Sequence, residues 1–425
     1  MTPATSALLD RLAPETGGGP RADRGRAWLD RHGLPTQRDE AWRYTPVDDV
    51  VRALEATGPA PADAGADVDR ALVDGLAGDL GGPRLVVVNG FLVEHLCDTD
   101  AGAGVWLGGA DDLRPRPPAA AGATDEPGDG FHALNWAAGR DVAAVLVDPR
   151  ARVGAPVHVV HLAVPGPTAT ASHPRTVVRA GPGSTVHVVE SYVGLPGAAV
   201  TNASTRIVAA EGACVTHHRV QAEADDAVHV GRTGIEQAAG STVRSTSVTS
   251  GGRIARNALD VQLAGTGARA DLDGLYLPTG RQRHDTVVTV DHRASGCTST
   301  QRFRGVLDDH GRGSFSGHVI VRPGTTGTDA SQSNRNLVLR PTAQADTRPW
   351  LEIFADDVRC SHGATVGRLD DDALFYLRSR GIPRAEARRM LVAAFAAEVL
   401  DPIEPAALRE RAAAAFDRFA AGVPA

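Results

Sequence analysis

Gly183–Val189 (GSTVHVV), Gly212–His218 (GACVTHH), Gly240–Thr246 (GSTVRST), Gly267–Asp273 (GARADLD) and Gly296–Arg302 (GCTSTQR) repeat one design: a glycine, a small residue, then a short strand-like run. An earlier copy starts at Gly154 (GAPVHVV) and a seventh is expected from Gly324, with successive separations of 29, 29, 28, 27, 29 and 28 residues. Between the glycines, Val, Thr and Ile alternate with polar residues, which is the period of a strand. Self-similarity at this spacing marks a stacked repeat, in which each turn buries its apolar face only against its neighbours. No helical period lies inside the unit, so the pattern predicts a parallel β-helix whose corners use the φ > 0 freedom of glycine. An antiparallel sandwich with evenly spaced turns is the alternative.

The flanks read differently. Residues 1–80 are expected to be helical, with Ala27, Trp28 and Leu29 in an amphipathic stretch that stops at Gly33. The interval 81–365 is then the mainly β core, interrupted by an irregular loop near 100–130 that is rich in Gly, Pro, Ala and Asp. A C-terminal helical region over 366–425 opens with three acids at Asp370, Asp371 and Asp372 and breaks at Gly381. Beyond Pro383, the residues Ala387, Leu391, Ala394, Phe395 and Glu398 share one face of a second helix. Leu408, Ala412, Phe416 and Phe419 stripe a third. These helices are expected to cap the end of the coil or to present an apolar face to another protein.

Composition narrows the chemistry. All 44 basic residues of the 425 are arginine, against 51 acids, for a net charge of −7. Without lysine there is neither a Walker-type phosphate loop nor a Schiff-base mechanism. The acidic balance argues against nucleic acid as a partner. No apolar run reaches the roughly 18 residues of a membrane span, and no export signal is visible. Four scattered cysteines, Cys97, Cys214, Cys297 and Cys360, form no CxxC pair and fit a reduced, cytoplasmic setting.

The densest constellation runs from Glu352 to Gly367. If Asp356 to His362 is extended, then Asp356, Val358, Cys360 and His362 share a face. A thiolate and an imidazole two residues apart can address one metal, and sulfur with nitrogen suits iron, iron–sulfur clusters or zinc. The plainer alternative is a small buried cysteine beside a hydrogen-bonded histidine. A self-contained cluster takes four cysteines, so a cluster held here would need ligands from a partner. Weaker candidates are Cys214 with His217 or His218, which point to opposite faces, and the pairs His284-Asp285 and Asp291-His292, read as solvated polar faces. Arg302 and Arg304 read as a solvated strand face around Phe303.

The run Leu351–Pro383 (LEIFADDVRCSHGATVGRLDDDALFYLRSRGIP) resembles the C-terminal signature of the SufB/SufD family of iron–sulfur cluster assembly proteins. Arg38–Val47 (RDEAWRYTPV), Phe131–Ala137 (FHALNWA), His173–Arg175 and Phe303–Val321 are similar to further motifs of that family. The resemblance implies a right-handed parallel β-helix flanked by N-terminal and C-terminal helical regions. It also implies a complex with a SufB-like paralogue and a SufC-like ABC ATPase, the latter docked near Asp370–Glu398. A homodimer is left open for the chain alone. The implied task is assembly of a nascent Fe–S cluster, with iron or the cluster passing transiently through the interface and no catalysis by this chain. The CSHG motif falls on Cys360 and His362, with His362 the expected ligand facing the partner. Where the SufB branch carries its scaffold cysteine this chain has Asn334, and it has Ser361-His362-Gly363 in place of a glutamate-bearing motif, which points to the SufD branch. The rival function for such a coil is a carbohydrate-active enzyme of the polysaccharide lyase type, with Arg253, Arg256, Asp285 and Asp291 in its groove.

Overall fold

A left-handed corner recurs once per rung and sets the architecture. Gly183, Gly212, Gly240, Gly267 and Gly296 all adopt φ between 63° and 72°. Each corner N–H donates to the carbonyl just before the next corner, as in Gly212 to Ala239 and Gly267 to Ser295. Two corners depart from the expected glycines. The first is Arg150 (φ 62°), whose N–H donates to Pro182, whereas Gly154 lies outside the left-handed region. The seventh is Gly327 (φ 66°), which bonds to the Asp357 carbonyl. Gly324 belongs to a short insertion just before it.

These corners wind a parallel β-helix, seen in a computed structural model that describes residues 3–12, 19–109, 126–166 and 169–421. Consecutive strands alternate between two sheets. The first runs, in hydrogen-bonded order, from Gln344–Ile353 through Arg312–Val321, Arg283–His292, Ile254–Leu263, Val228–Gln237 and Ala199–Ala209 to Arg175–Ala180. The second runs from Val358–Gly367 through Thr328–Val338, Thr298–Leu307, Arg269–Tyr276, Thr242–Thr249, Cys214–Ala222 and Thr185–Gly194 to Val157–Ala163 and Arg84–Val88. Every pairing along these runs is parallel, which rules out the antiparallel sandwich. At the far end both sheets finish in short antiparallel strands, Phe91–Leu92 and Val105–Gly108.

The lumen is filled by Val, Leu, Ile and Ala in register, with the tilted rings of Phe303 and Phe315 in contact, their centroids 5.0 Å apart. Of the loop expected near 100–130, residues 110–125 lie outside the described residues. Helices α1 (Pro3–Leu12), α2 (Gly19–His32), α3 (Val47–Glu55), α4 (Arg70–Ala77) and α5 (Gly130–Ala138) precede or interrupt the first rungs. Leu8, Leu29, Val50 and Phe131 from this group pack on Val200, Val228 and Ile254 of the first sheet's outer face.

The C-terminal helices α6 (Asp371–Ser379), α7 (Arg384–Leu400) and α8 (Ala406–Ala421) do not cap the coil. Instead α7 and α8 lie along the outer face of the second sheet, where Val392, Ala396, Val399 and Phe416 cover Val189, Val220, Val248, Leu275 and Val306. The buried face of α7 is therefore Ala387, Val392, Ala396 and Val399, while Ala394 and Glu398 are exposed, contrary to the face expected. Arg304 explains the shift: it is buried rather than solvated and reaches out to Glu398 (Nε to Oε2, 3.1 Å), placing that carboxylate at the helix flank. Arg302 stays exposed and pairs with Asp273.

Candidate functional site

The last rung consists of Gln344–Ile353 and Val358–Gly367, each the terminal strand of its sheet. No further strand covers their outer edges, so backbone donors and acceptors and the mouth of the lumen stay open. Side chains that would be fully buried one rung lower are only partly covered here. Leu351, Ala355, Val358 and Cys360 rest on Val319, Val321 and Ala330 beneath them. Around the rim Ile353, Phe354 and Val366 are exposed, Phe354 to 56 %.

Alternation along Val358–Gly367 puts Val358, Cys360, His362 and Ala364 on the lumen side. Cys360 is half-buried; burial raises its thiol pKa and Asp329 adds to the rise, against a smaller lowering from the Ala330 backbone. That favours the thiol over the metal-binding thiolate. His362 is exposed, in register above Gln332, which donates to Gln301 at 2.8 Å. The two sequence-expected residues thus share one face at an open edge. Among the described residues no group of three or more His, Cys, Asp and Glu could hold a metal ion. Asn334 is buried, donating to the Tyr276 hydroxyl at 3.1 Å and accepting from Asn336 at 2.6 Å.

The other candidates are engaged elsewhere. His217 and His218 do point to opposite faces, and neither meets Cys214 in a ligand cluster: His217 enters the lumen, while His218 sits edge-on to His187 outside it. His284, Asp285, Asp291 and His292 are buried rather than solvated. Asp285 pairs with Arg256 and accepts from Thr45 and Ser314, because the segment Ala41–Thr45 lies over this part of the sheet. Asp291 pairs with Arg293 and Arg322. Of the residues proposed for a lyase groove, only Arg253 is exposed.

Sequence reading missed a polar block inside the lumen. Glu190 is fully buried, with His217 Nε2 at 2.9 Å and His161 Nε2 at 3.4 Å; Thr205 donates to it at 2.9 Å and Tyr192 at 3.1 Å. Burial alone would raise its carboxyl, but hydrogen bonds from His161 and His217 outweigh that and hold it well below the usual range. Glu223 and His229 form a second buried pair. The available signal was Glu190 at an inward position of an otherwise apolar strand. On the surface, α6 and α7 leave Phe375, Tyr376 and Met390 exposed, Phe375 to 72 %.

Residues 163–395 match the family model described as SUF system FeS cluster assembly, SufBD core domain. The chain is 32 % identical over 394 residues to an iron–sulfur cluster assembly SufBD family protein of Synechocystis, covering 89 % of this chain and 86 % of that one. It is 31 % identical over 395 residues to the iron–sulfur cluster assembly protein SufD of Escherichia coli (92 % and 90 %), and 28 % identical over 269 residues to SufD of Bacillus subtilis (62 % and 61 %). With the family model spanning more than half of its length and the Synechocystis and Escherichia coli relatives aligned along about nine-tenths of it, the chain belongs to the SufBD family of the SUF iron–sulfur cluster assembly system.

Proposed function

We propose that this chain is a non-catalytic, SufD-type subunit working in the cytoplasm, which closes its open rung against a SufB-like partner. There it offers His362, with Cys360 behind it, to iron or a forming iron–sulfur cluster whose remaining ligands come from that partner. The observation that carries the reading is the exposed imidazole of His362 on an uncovered terminal strand, beside apolar groups that a second protein would bury. That no group of three His, Cys, Asp and Glu gathers among the described residues fits a site whose ligands are shared with a partner. ATP hydrolysis belongs to a SufC-like ATPase, and the exposed Phe375, Tyr376 and Met390 of α6 and α7 form the apolar surface that would seat it. Because α7 is anchored to the second sheet through Arg304 and Glu398, movement of the ATPase would be transmitted to the strands that end in the open rung.

The test is His362→Ala in a chain co-expressed with its SufB-like and SufC-like partners. The complex should purify intact by gel filtration while its cluster absorbance near 400 nm falls by about tenfold or more, the scale of one lost ligand contact. An intact complex with undiminished absorbance would overturn the ligand role.

A further inference from the structure

A cleft of about 250 Å³ lies where the N-terminal motif crosses the first sheet, with Gln344 and Asp346 of the last rung at its edge. Its wall is Arg43, Tyr44, Thr45 and Pro46; its floor includes Arg283, Arg312, Ser314 and Asp346. Arg283 and Arg312 are direct partners in the ladder, so two guanidinium side chains leave neighbouring strands side by side. Like charges directly opposite in a sheet repel. Among the described residues neither Arg283 nor Arg312 has an ion pair or a side-chain hydrogen bond. The nearest deep carboxylate, Asp285, is already neutralised by Arg256, and Asp346 accepts from Gln344 at the rim. The third cation, Arg43, reaches a loose contact with Glu40 at 3.8 Å and lies over the Tyr44 ring, 5.9 Å from its centroid. His284 lines the same cleft, buried, with neither ring nitrogen hydrogen-bonded at normal geometry. Burial depresses its pKa to about 4, against an opposing effect of the Gly252 and Gly251 carbonyls, so it adds no positive charge beside the two guanidinium groups.

We infer that this cleft binds a small phosphoanion, held between the forks of Arg283 and Arg312 and closed over by Arg43. Strands about 4.8 Å apart bring the two side chains near enough for their guanidinium groups to bond different oxygens of one phosphoryl group or of two linked ones. Arginine suits this task better than a point-charge cation, because its planar fork bonds two oxygens at once. The half-buried Tyr44 ring in the wall gives a flat surface on which a base could stack if the anion is the tail of a nucleotide.

Titration calorimetry on the full chain with pyrophosphate, inorganic phosphate and adenosine diphosphate tests this, at fixed ionic strength and with chloride as the control. Pyrophosphate should bind, and R283Q and R312Q should each weaken it by about tenfold, as expected for loss of one charge-assisted contact. Tighter binding of the diphosphate nucleotide that falls back to the pyrophosphate value in Tyr44→Ala assigns the source as a nucleotide. Equal binding of the two assigns a free anion. Absence of binding by all three anions overturns the inference. So does binding that persists unchanged in the double variant R283Q/R312Q, whose fold is checked by its melting curve.

Discussion

His217 Nε2 lies 2.9 Å from Glu190 Oε2, and its other ring nitrogen lies 3.0 Å from the Ser245 hydroxyl, all three side chains being shut inside the coil. Three successive rungs are tied by this chain of contacts, since Glu190, His217 and Ser245 come from adjacent strands. Glu190→Ala should therefore lower stability by about 3–5 kcal/mol, the range for breaking a buried charged pair. Glu190→Gln should recover part of the loss, because its amide oxygen can still accept from one imidazole. Unfolding in urea checks this; an unchanged midpoint for the alanine variant would show that the imidazoles find other partners.

Acidification should destabilise the fold well before carboxylates titrate. Burial is the main cause that depresses His158, His173 and His218 to about 3 and His284 and His292 to about 4, below the ordinary value of 6.5. A depressed folded pKa means that the unfolded chain binds more protons below pH 6.5, so stability is lost as pH falls. Each such histidine contributes up to about 1.4 kcal/mol per pH unit in that window. Glu190, also depressed, adds in the same direction only below the ordinary carboxyl range. Melting curves between neutral pH and the ordinary carboxyl range should show a steep, continuous decline; a flat profile would contradict the neutral buried state of these rings.

Arg304 should govern how firmly α7 is held. Its guanidinium is buried, bonded to Glu398 and to the Phe303 carbonyl at 3.1 Å. Arg304→Ala removes charge-assisted bonds of about 1.5–3 kcal/mol, and Arg304→Lys should not restore them because the fork is lost. Hydrogen exchange over Arg384–Leu400 should accelerate by about tenfold in both variants. Unaltered protection would mean that apolar packing alone fixes the helix.

Cys360→Ser should leave cluster assembly in the co-expressed complex largely intact where His362→Ala does not. The thiol pKa is raised by burial and by Asp329, so little thiolate forms near neutral pH. Equal loss in the two variants would promote Cys360 to an obligate ligand.

The repeat was legible because rung length is set by sheet geometry, and the alternation that places Cys360 and His362 on one face is a property of any strand. The corners at Arg150 and Gly327 were not, since Gly154 and Gly324 hold the expected spacing while the turns fall on a left-handed arginine and behind a short insertion. The burial of His284, Asp285 and Arg304 was also hidden. Alternation separates inside from outside within a coil, but it does not reveal that Ala41–Thr45 or α7 will cover an outer face. Exposure of His362 was invisible for a related reason: an edge is defined by the strand that is missing beside it.

The coil is finished at one end by the short antiparallel strands Phe91–Leu92 and Val105–Gly108 and left unfinished at the other. A rod with a single adhesive tip can be consumed only once: when two such tips meet, neither body presents another, so growth halts at a closed pair instead of running on into a filament.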